Sequence, residues 1–239
     1  MSKLAKTKIG KMIIKNKFLF SIYKASLGRI RRKYRLSKRS HDVKGNGILR
    51  IMEIERILEK EGAFFFVDCG TLLGFIREGK PIKWDYDIDF GIVIDSKYNW
   101  NNLEEAMIKH GYTLHHQFRF EGNITEQTYK KGITMIDFFN HFHEDNNTCF
   151  YAYYRKENYN YSSDNEMNVL KLKGVKISGT KKIKVEGGFV HVPNEAEKYL
   201  ENIYGVNWRI PDPNYKDGSG PACIHLDDKC KAYLEEIDS

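Results

Sequence analysis

Three aspartates stand at alternating positions, Asp85, Asp87 and Asp89, within DCGTLLGFIREGKPIKWDYDIDF, residues 68–90. Side chains of an extended strand alternate faces, so the three share one face if the strand begins as early as Asp85. Ile88, Phe90 and Ile92 then point the other way, into a core. Three carboxylates on one face repel one another and are costly unless a cation sits among them. Magnesium, or manganese in its place, takes oxygen ligands at short distances and is readily held by one or two carboxylates plus a substrate phosphate. Such an ion also keeps the acids ionised. Asp87 and Asp89 are the expected ligands, with Asp85 beside them as a further candidate.

Upstream, Cys69-Gly70-Thr71 joins an expected strand to an expected helix. Gly70 lets the backbone approach a phosphate closely. Amides at the helix start can donate to that phosphate, and Thr71 can add a hydroxyl. A Gly-Thr turn alone is an ordinary turn, and an Asp-rich stretch alone is an ordinary solvated loop. Their spacing on strand–turn–helix–strand favours a joint phosphate and metal site.

The elements that must position these residues follow from patterning. Residues 47–61 (GILRIMEIERILEKE) place Ile48, Ile51, Ile54, Ile57 and Leu58 at helical spacing, which predicts an amphipathic helix. Residues 63–67 are aromatic and β-branched and predict a strand, followed by a turn at Gly70 and a short helix over 71–78. Further strands are predicted over 88–94, 112–120, 124–129, 133–139, 149–155 and 183–192. Residues 100–110 read as a helix capped by Gly111, and Asn194 as the cap of a helix that Gly205 ends.

The stretch GTLLGFIREGKPIKWDYDIDFGI, residues 70–92, closely resembles the LicD/fukutin family, whose core reads GTLLG…R…I.WD.D.D. That family resembles in turn the polymerase-β-type nucleotidyltransferases, with their glycine turn followed by an acid–apolar–acid strand. The resemblance implies an α+β nucleotidyltransferase fold, a mixed β-sheet core flanked by helices. It also implies a third acid on a later strand, which ITMIDFF (residues 133–139) supplies as Asp137. YLENIYGVNWRIP (residues 199–211) is similar to the family's C-terminal element and closest to the fukutin-like branch.

By the same resemblance, members move a substituted phosphate from a CDP-linked donor to a sugar hydroxyl, releasing CMP. The group is phosphocholine in the LicD branch and ribitol phosphate in the fukutin branch. Asp87 and Asp89 would hold magnesium on the diphosphate, and Asp137 would complete a second metal position or act as base. Arg77 matches the family's arginine and would bind donor phosphate, the alternative being an ion pair with an aspartate. Tyr204 and Trp208, with Arg209, would line a substrate pocket or else close the fold. A nucleotidyltransferase using an NTP, and a non-catalytic membrane- or glycan-binding adaptor, are the rival functions.

Charge is unevenly placed. Residues 1–45 hold 15 Lys and Arg against the single acid Asp42, whereas residues 46–239 carry a net charge of −7. The expected organisation is a basic amphipathic arm (1–45) and a catalytic domain (46–239). An acidic body argues against nucleic acid as partner. Ile9, Met12, Ile13, Leu19, Phe20, Tyr23, Leu27 and Ile30 recur at roughly helical spacing among the arm's lysines and arginines. This suits either an anionic membrane surface or docking on the body. The expected location is the cytoplasmic face of a membrane, next to a glycan or lipid-linked sugar acceptor. Four cysteines are too few for a disulfide scaffold at this length. Cys223, His225 and Cys230 offer three zinc-type ligands, with Cys149, His191 or Asp227 as a fourth, although ordinary packing is the simpler reading. His141 and His143 read as surface histidines, and Trp84 as a packing residue.

Overall fold

The computed structural model describes residues 17–212 and 215–237, with side chains from Arg29 onward. Of the expected arm, Ile9, Met12 and Ile13 and the side chains of Leu19, Phe20, Tyr23 and Leu27 lie outside the described residues. One helix, α1 (Lys17–Glu61), runs unbroken through residue 45, where the arm was expected to meet the domain. Its C-terminal half packs as the periodicity requires, with Ile51, Ile54 and Leu58 fully buried. Glu53 on its flank accepts from the Tyr112 hydroxyl at 2.9 Å and Lys131 Nζ at 2.5 Å, and Glu55 accepts from the His191 amide at 2.7 Å. Among the described residues, no helix is long and apolar enough to cross a membrane.

There follow β1 (Phe65–Val67), α2 (Cys69–Glu78), β2 (Ile88–Ile92), α3 (Trp100–Lys109), β3 (Thr113–Phe120), β4 (Asn123–Lys131) and β5 (Thr134–Asn140). Then come β6 (Phe142–Glu144), β7 (Asn147–Tyr154), β8 (Glu166–Val175), β9 (Thr180–Val185), β10 (Gly188–Pro193), α4 (Ala196–Tyr204), β11 (Cys223–His225) and β12 (Lys231–Glu236). Ten strands form one mixed sheet in the order β1-β2-β5-β4-β3-β12-β8-β7-β6, with β11 also on β8. Within it β2 and β5 run parallel. The class is α+β, as expected, with a mixed sheet and four helices among the described residues.

The sheet curls on itself. Phe118 of β3 stacks on Tyr153 of β7 with ring centres 4.5 Å apart, and Phe139 of β5 meets Phe150 of β7 at 5.6 Å. Strands far apart in the sheet order therefore face each other across a concave interior. A core lies on the other side, where Ile88, Phe90, Ile136 and Phe138 are fully buried, with Phe65 beside Phe90 at 6.3 Å and α1 over the sheet.

Two expectations about elements change. Residues 183–192 are two strands, β9 and β10, because Glu186-Gly187 makes a two-residue hairpin turn with Gly187 at φ 84°. Asn194 does not cap α4: Glu195 holds that position without a side-chain bond, and the Asn194 amide donates to Gly179 O.

Candidate active site

The β1–α2 junction is built from a buried cap. Asp68 is fully buried, and its Oδ1 accepts from the Cys69 amide at 2.7 Å and from the Tyr199 hydroxyl at 2.8 Å. The turn itself falls on Cys69, whose φ of 43° is unusual for a residue other than glycine, and not on Gly70. Gly70 serves a different need. A Cβ there would lie 2.7 Å from Asp85 Oδ2, so its bare Cα is what lets that carboxylate come down on the helix start. Thr71 is buried, and its Oγ accepts the Asp89 amide at 2.9 Å. The expected phosphate-binding hydroxyl instead ties α2 to the aspartate strand.

β2 begins at Ile88, so Asp85 and Asp87 are not strand residues sharing a face with Asp89. They lie in the lead-in, after a turn closed by the Asp85 amide on Ile82 O. The three carboxylates nevertheless converge, with candidate ligand oxygens within 4.8 Å of one another. Asp137 stands directly opposite Asp89 on the neighbouring parallel strand β5. Its Oδ1 accepts from the Thr128 hydroxyl at 2.6 Å. The Thr128 Oγ also lies 3.0 Å from His116 Nε2.

Burial and mutual repulsion govern these acids. Desolvation raises the pKa of Asp85 to about 6 and, with Asp85 adjacent, that of Asp87 to about 7. Desolvation and the nearby Asp87 raise Asp137 to about 7. Asp89 is pushed well up, by burial first and then by Asp87 and Asp85. A cluster of hard oxygen donors that resist ionising together matches what magnesium or manganese requires, so the residues present fit such an ion. Arg39 of α1 is a cation near the group. Partial burial and Arg35 lower its pKa, while Asp87 and Asp137 act to raise it.

A pH dependence follows. Acids whose folded pKa lies above the unfolded value stabilise the fold when protonated, and that stability is lost as pH rises through the folded pKa. Metal-free protein is therefore expected to lose stability from about pH 4, where these acids ionise in the unfolded chain, until Asp85, Asp87 and Asp137 have ionised in the folded protein, with a last loss between pH 6 and 8. The loss should be on the order of 2 kcal/mol, since one pKa unit is worth about 1.4 kcal/mol. His116, lowered from 6.5 to about 4 by burial and by His115, acts in the opposite sense between those values, so the loss is unopposed by it only above pH 6.5. Melting curves in EDTA across this window test it. A metal-free melting temperature that is flat or rises to pH 8 contradicts the repulsion.

Gly70→Ala makes a second test. Alanine suits a helix better than glycine, so helix propensity does not penalise it. The added Cβ must displace Asp85. Magnesium or manganese should then bind roughly tenfold more weakly by calorimetry, about 1.4 kcal/mol, while the metal-free fold is retained. Unchanged metal affinity would remove Asp85 from the cation site.

Two cavities meet at the cluster. One, of about 510 Å³, is the concave interior, and Asp85, Asp87, Asp89, Asp137, Glu126 and Asp217 line it. The other, of about 660 Å³, runs from Gly70 and Asp85 past Arg77, Trp84 and Tyr204 to Trp208. Glu126 and Asp217 had no signal in the sequence. Glu126 is buried on β4, and burial followed by Asp137 raises its pKa well above the ordinary range. Arg77 pairs with its neighbour Glu78 at 2.7 Å. Trp84 is 61 % exposed and is therefore not a packing residue. Trp208 is buried with Arg209 over its ring, and both it and Tyr204 line the second cavity.

The remaining candidates sort plainly. His141 is buried, not on the surface, with Nε2 3.1 Å from Asp68 Oδ2 and Nδ1 3.0 Å from Phe139 O. Cys223, His225 and Cys230 do not gather. His225 Nδ1 lies 3.0 Å from the Tyr154 hydroxyl, and Cys230 packs near Phe120 and Val169. His191 bonds Glu55, and Cys149 is buried. Among the described residues, the three aspartates are the one group suited to hold a metal.

A curled mixed sheet whose parallel pair β2–β5 presents carboxylates to a cavity defines an α+β protein with an acidic centre. The LicD/FKTN/FKRP nucleotidyltransferase domain profile matches residues 62–195, more than half of the chain, and the chain belongs to that family. Over 50 residues it is 40% identical to the ribitol 5-phosphate transferase FKRP of Mus musculus, and equally to that of Homo sapiens. Each match covers 21% of this chain and only 10% of the relative's length.

Proposed function

We propose that the protein is a metal-dependent phosphotransferase that moves a substituted phosphate from a CDP-linked donor to a hydroxyl of a cell-surface glycan, releasing CMP. The observation that carries this reading is the convergence of Asp85, Asp87 and Asp89 at the junction of two cavities, with Asp137 opposite Asp89. Two cavities meeting at one acidic centre suit a reaction that brings a donor and an acceptor together.

Asp85, Asp87 and Asp89 would hold magnesium or manganese, which when bound supplies charge neutralisation for the donor diphosphate. Arg77 and the helix start at Gly70 border the second cavity and would receive the donor's phosphates. Tyr204 and Trp208 form further walls of that cavity. Asp137 stands outside the three-carboxylate group, is oriented by Thr128, and has a pKa raised to about 7. That suits a base taking the proton of the acceptor hydroxyl at neutral pH. Contact with an anionic membrane on the cytoplasmic side belongs to the same proposal. Its support is the exposed Arg31, Arg35 and Lys38, which recur on one face of α1.

A thermal-shift screen tests the reading. With magnesium present, one of CDP-choline, CDP-ribitol or CDP-glycerol is expected to raise the melting temperature by several degrees, and turnover to yield CMP. Stabilisation by NTPs alone, with pyrophosphate as product, would make the protein a nucleotidyltransferase. No magnesium-dependent turnover of any donor would make it an adaptor.

A further inference from the structure

One face of α1 changes character along its length. From Val43 onward the stripe Val43, Gly47, Ile51, Ile54 and Leu58 is buried in the body. Read back toward the N-terminus at the same helical spacing, that stripe becomes Ser40, Ser37, Leu36, Lys33, Arg32 and Arg29. A helix that simply continued to dock would stay apolar there. Instead this face borders a cleft of about 730 Å³ whose opposite wall is Lys83, Trp84 and Tyr86. Among the described residues, four cations and no acid line it. The Ser40 hydroxyl donates to Lys83 O at 3.0 Å and joins the two walls at one end.

The cleft adjoins the acidic centre. Trp84 and Tyr86 also border the second cavity, and Tyr86 lies in sequence between Asp85 and Asp87. The helix stretch from residue 29 to 40 is roughly 16 Å long at 1.5 Å per residue. It suits a linear ligand better than a single small anion. Clustered cations favour a ligand with repeated negative charge. The exposed indole of Trp84 offers a flat apolar face of the kind that packs on the C–H face of a sugar ring.

We propose that this cleft binds the acceptor, and that the acceptor is an anionic saccharide chain, laid along α1 with one end at the aspartates. This rests on the phosphotransferase reading for the word acceptor, but the binding site itself does not. The helix separates two sets of cations for the test. Arg29, Arg32 and Lys33 face the cleft, whereas Arg31, Arg35 and Lys38 recur on the opposite side at helical spacing.

Full-length protein is titrated with fluorescent hexa-galacturonate, hexa(glycerol phosphate) and neutral maltohexaose. Vesicles of phosphatidylglycerol and phosphatidylcholine, and a single-stranded oligonucleotide, form the other arms. Wild type is expected to bind at least one anionic hexamer at least tenfold tighter than maltohexaose. The triple variant R29Q/R32Q/K33Q should lose at least tenfold of that affinity, and Trp84→Ala several-fold. R31Q/R35Q/K38Q, with the same charge change, should lose less than threefold. Circular dichroism melts confirm that each variant is folded, and Trp84→Ala gives an uncharged check. Equal loss in both triples shows nonspecific attraction and overturns the proposal. So does a cleft triple that loses vesicle or oligonucleotide binding while hexamer binding is unchanged. Magnesium plus CDP donors are titrated separately. If those fail while the hexamer result holds, the phosphotransferase reading falls and the anionic saccharide site stands.

Discussion

Asp87→Asn and Asp89→Asn are each expected to lower magnesium-dependent turnover by about 10²–10³-fold, the scale lost when a transition-state charge stabiliser is removed. The two reach the same point from different local structure, Asp87 from the lead-in and Asp89 from the buried strand β2. Asparagine keeps the shape and one acceptor oxygen but no charge. Each acid sits where desolvation and like charges already oppose ionisation. Removing one charge should therefore not unfold the metal-free protein and should relieve the remaining carboxylates. The measurements are initial rates over a magnesium titration with the donor found by thermal shift, beside metal-free melts. A variant that folds and keeps more than a tenth of the magnesium-dependent rate would remove that residue from the centre. If both do so, the centre lies elsewhere.

Asp85, Asp87 and Asp89 converge although their strand alternation does not hold before Ile88, and Asp137 was legible through the family resemblance rather than through periodicity. Apolar residues flank Asp89 and Asp137 on strands, and two such strands become neighbours once both bury their apolar side. The GTLLG segment was legible as a motif but not in its physics. Gly70 lies beneath Asp85, and Thr71 binds the Asp89 amide. A Cβ on Gly74 would lie 2.7 Å from Lys80 O and 2.9 Å from Ile82 N. All three hold the aspartate segment against α2, so the motif works through positioning as well as through any phosphate contact.

What escaped was carried by residues without a pattern of their own. Glu126 sits in NITEQTYKK, where the burial of polar residues depends on the curl of the sheet and not on β4 itself. Asp217 reaches the cavity from the segment between α4 and β11. The length of α1 was missed because Gly45 and Gly47 interrupt its propensity and its upstream face is basic. His141 follows a strand end, which suggests exposure, yet it is packed between Phe66 and Phe150 and beside Asp68.

Asp137→Asn is expected to cost about 10²–10⁴-fold in turnover, the range for a positioned general base, and to raise the metal-free melting temperature at pH 8. The rate loss follows from its place opposite Asp89 and its bond from Thr128. Asparagine can still accept that bond through its carbonyl oxygen, so the orientation survives while the basicity does not. The stability gain follows from the sign of the pKa shift. Burial and Asp87 raise Asp137 to about 7, so at pH 8 the folded protein holds a charge that it disfavours. At pH 5 the wild-type side chain is protonated in the folded protein but ionised in the unfolded chain, so the substitution should raise the melting temperature by less than at pH 8. A stabilisation clearly larger at pH 8 than at pH 5 is thus the signature of a repelling carboxylate, which a merely structural residue would not show. Magnesium plus donor should stabilise both proteins if Asp137 acts as base, and the wild type much more if Asp137 is itself a metal ligand. A variant that melts lower at both pH values and keeps its turnover would make Asp137 a structural residue and leave the acceptor hydroxyl without this base.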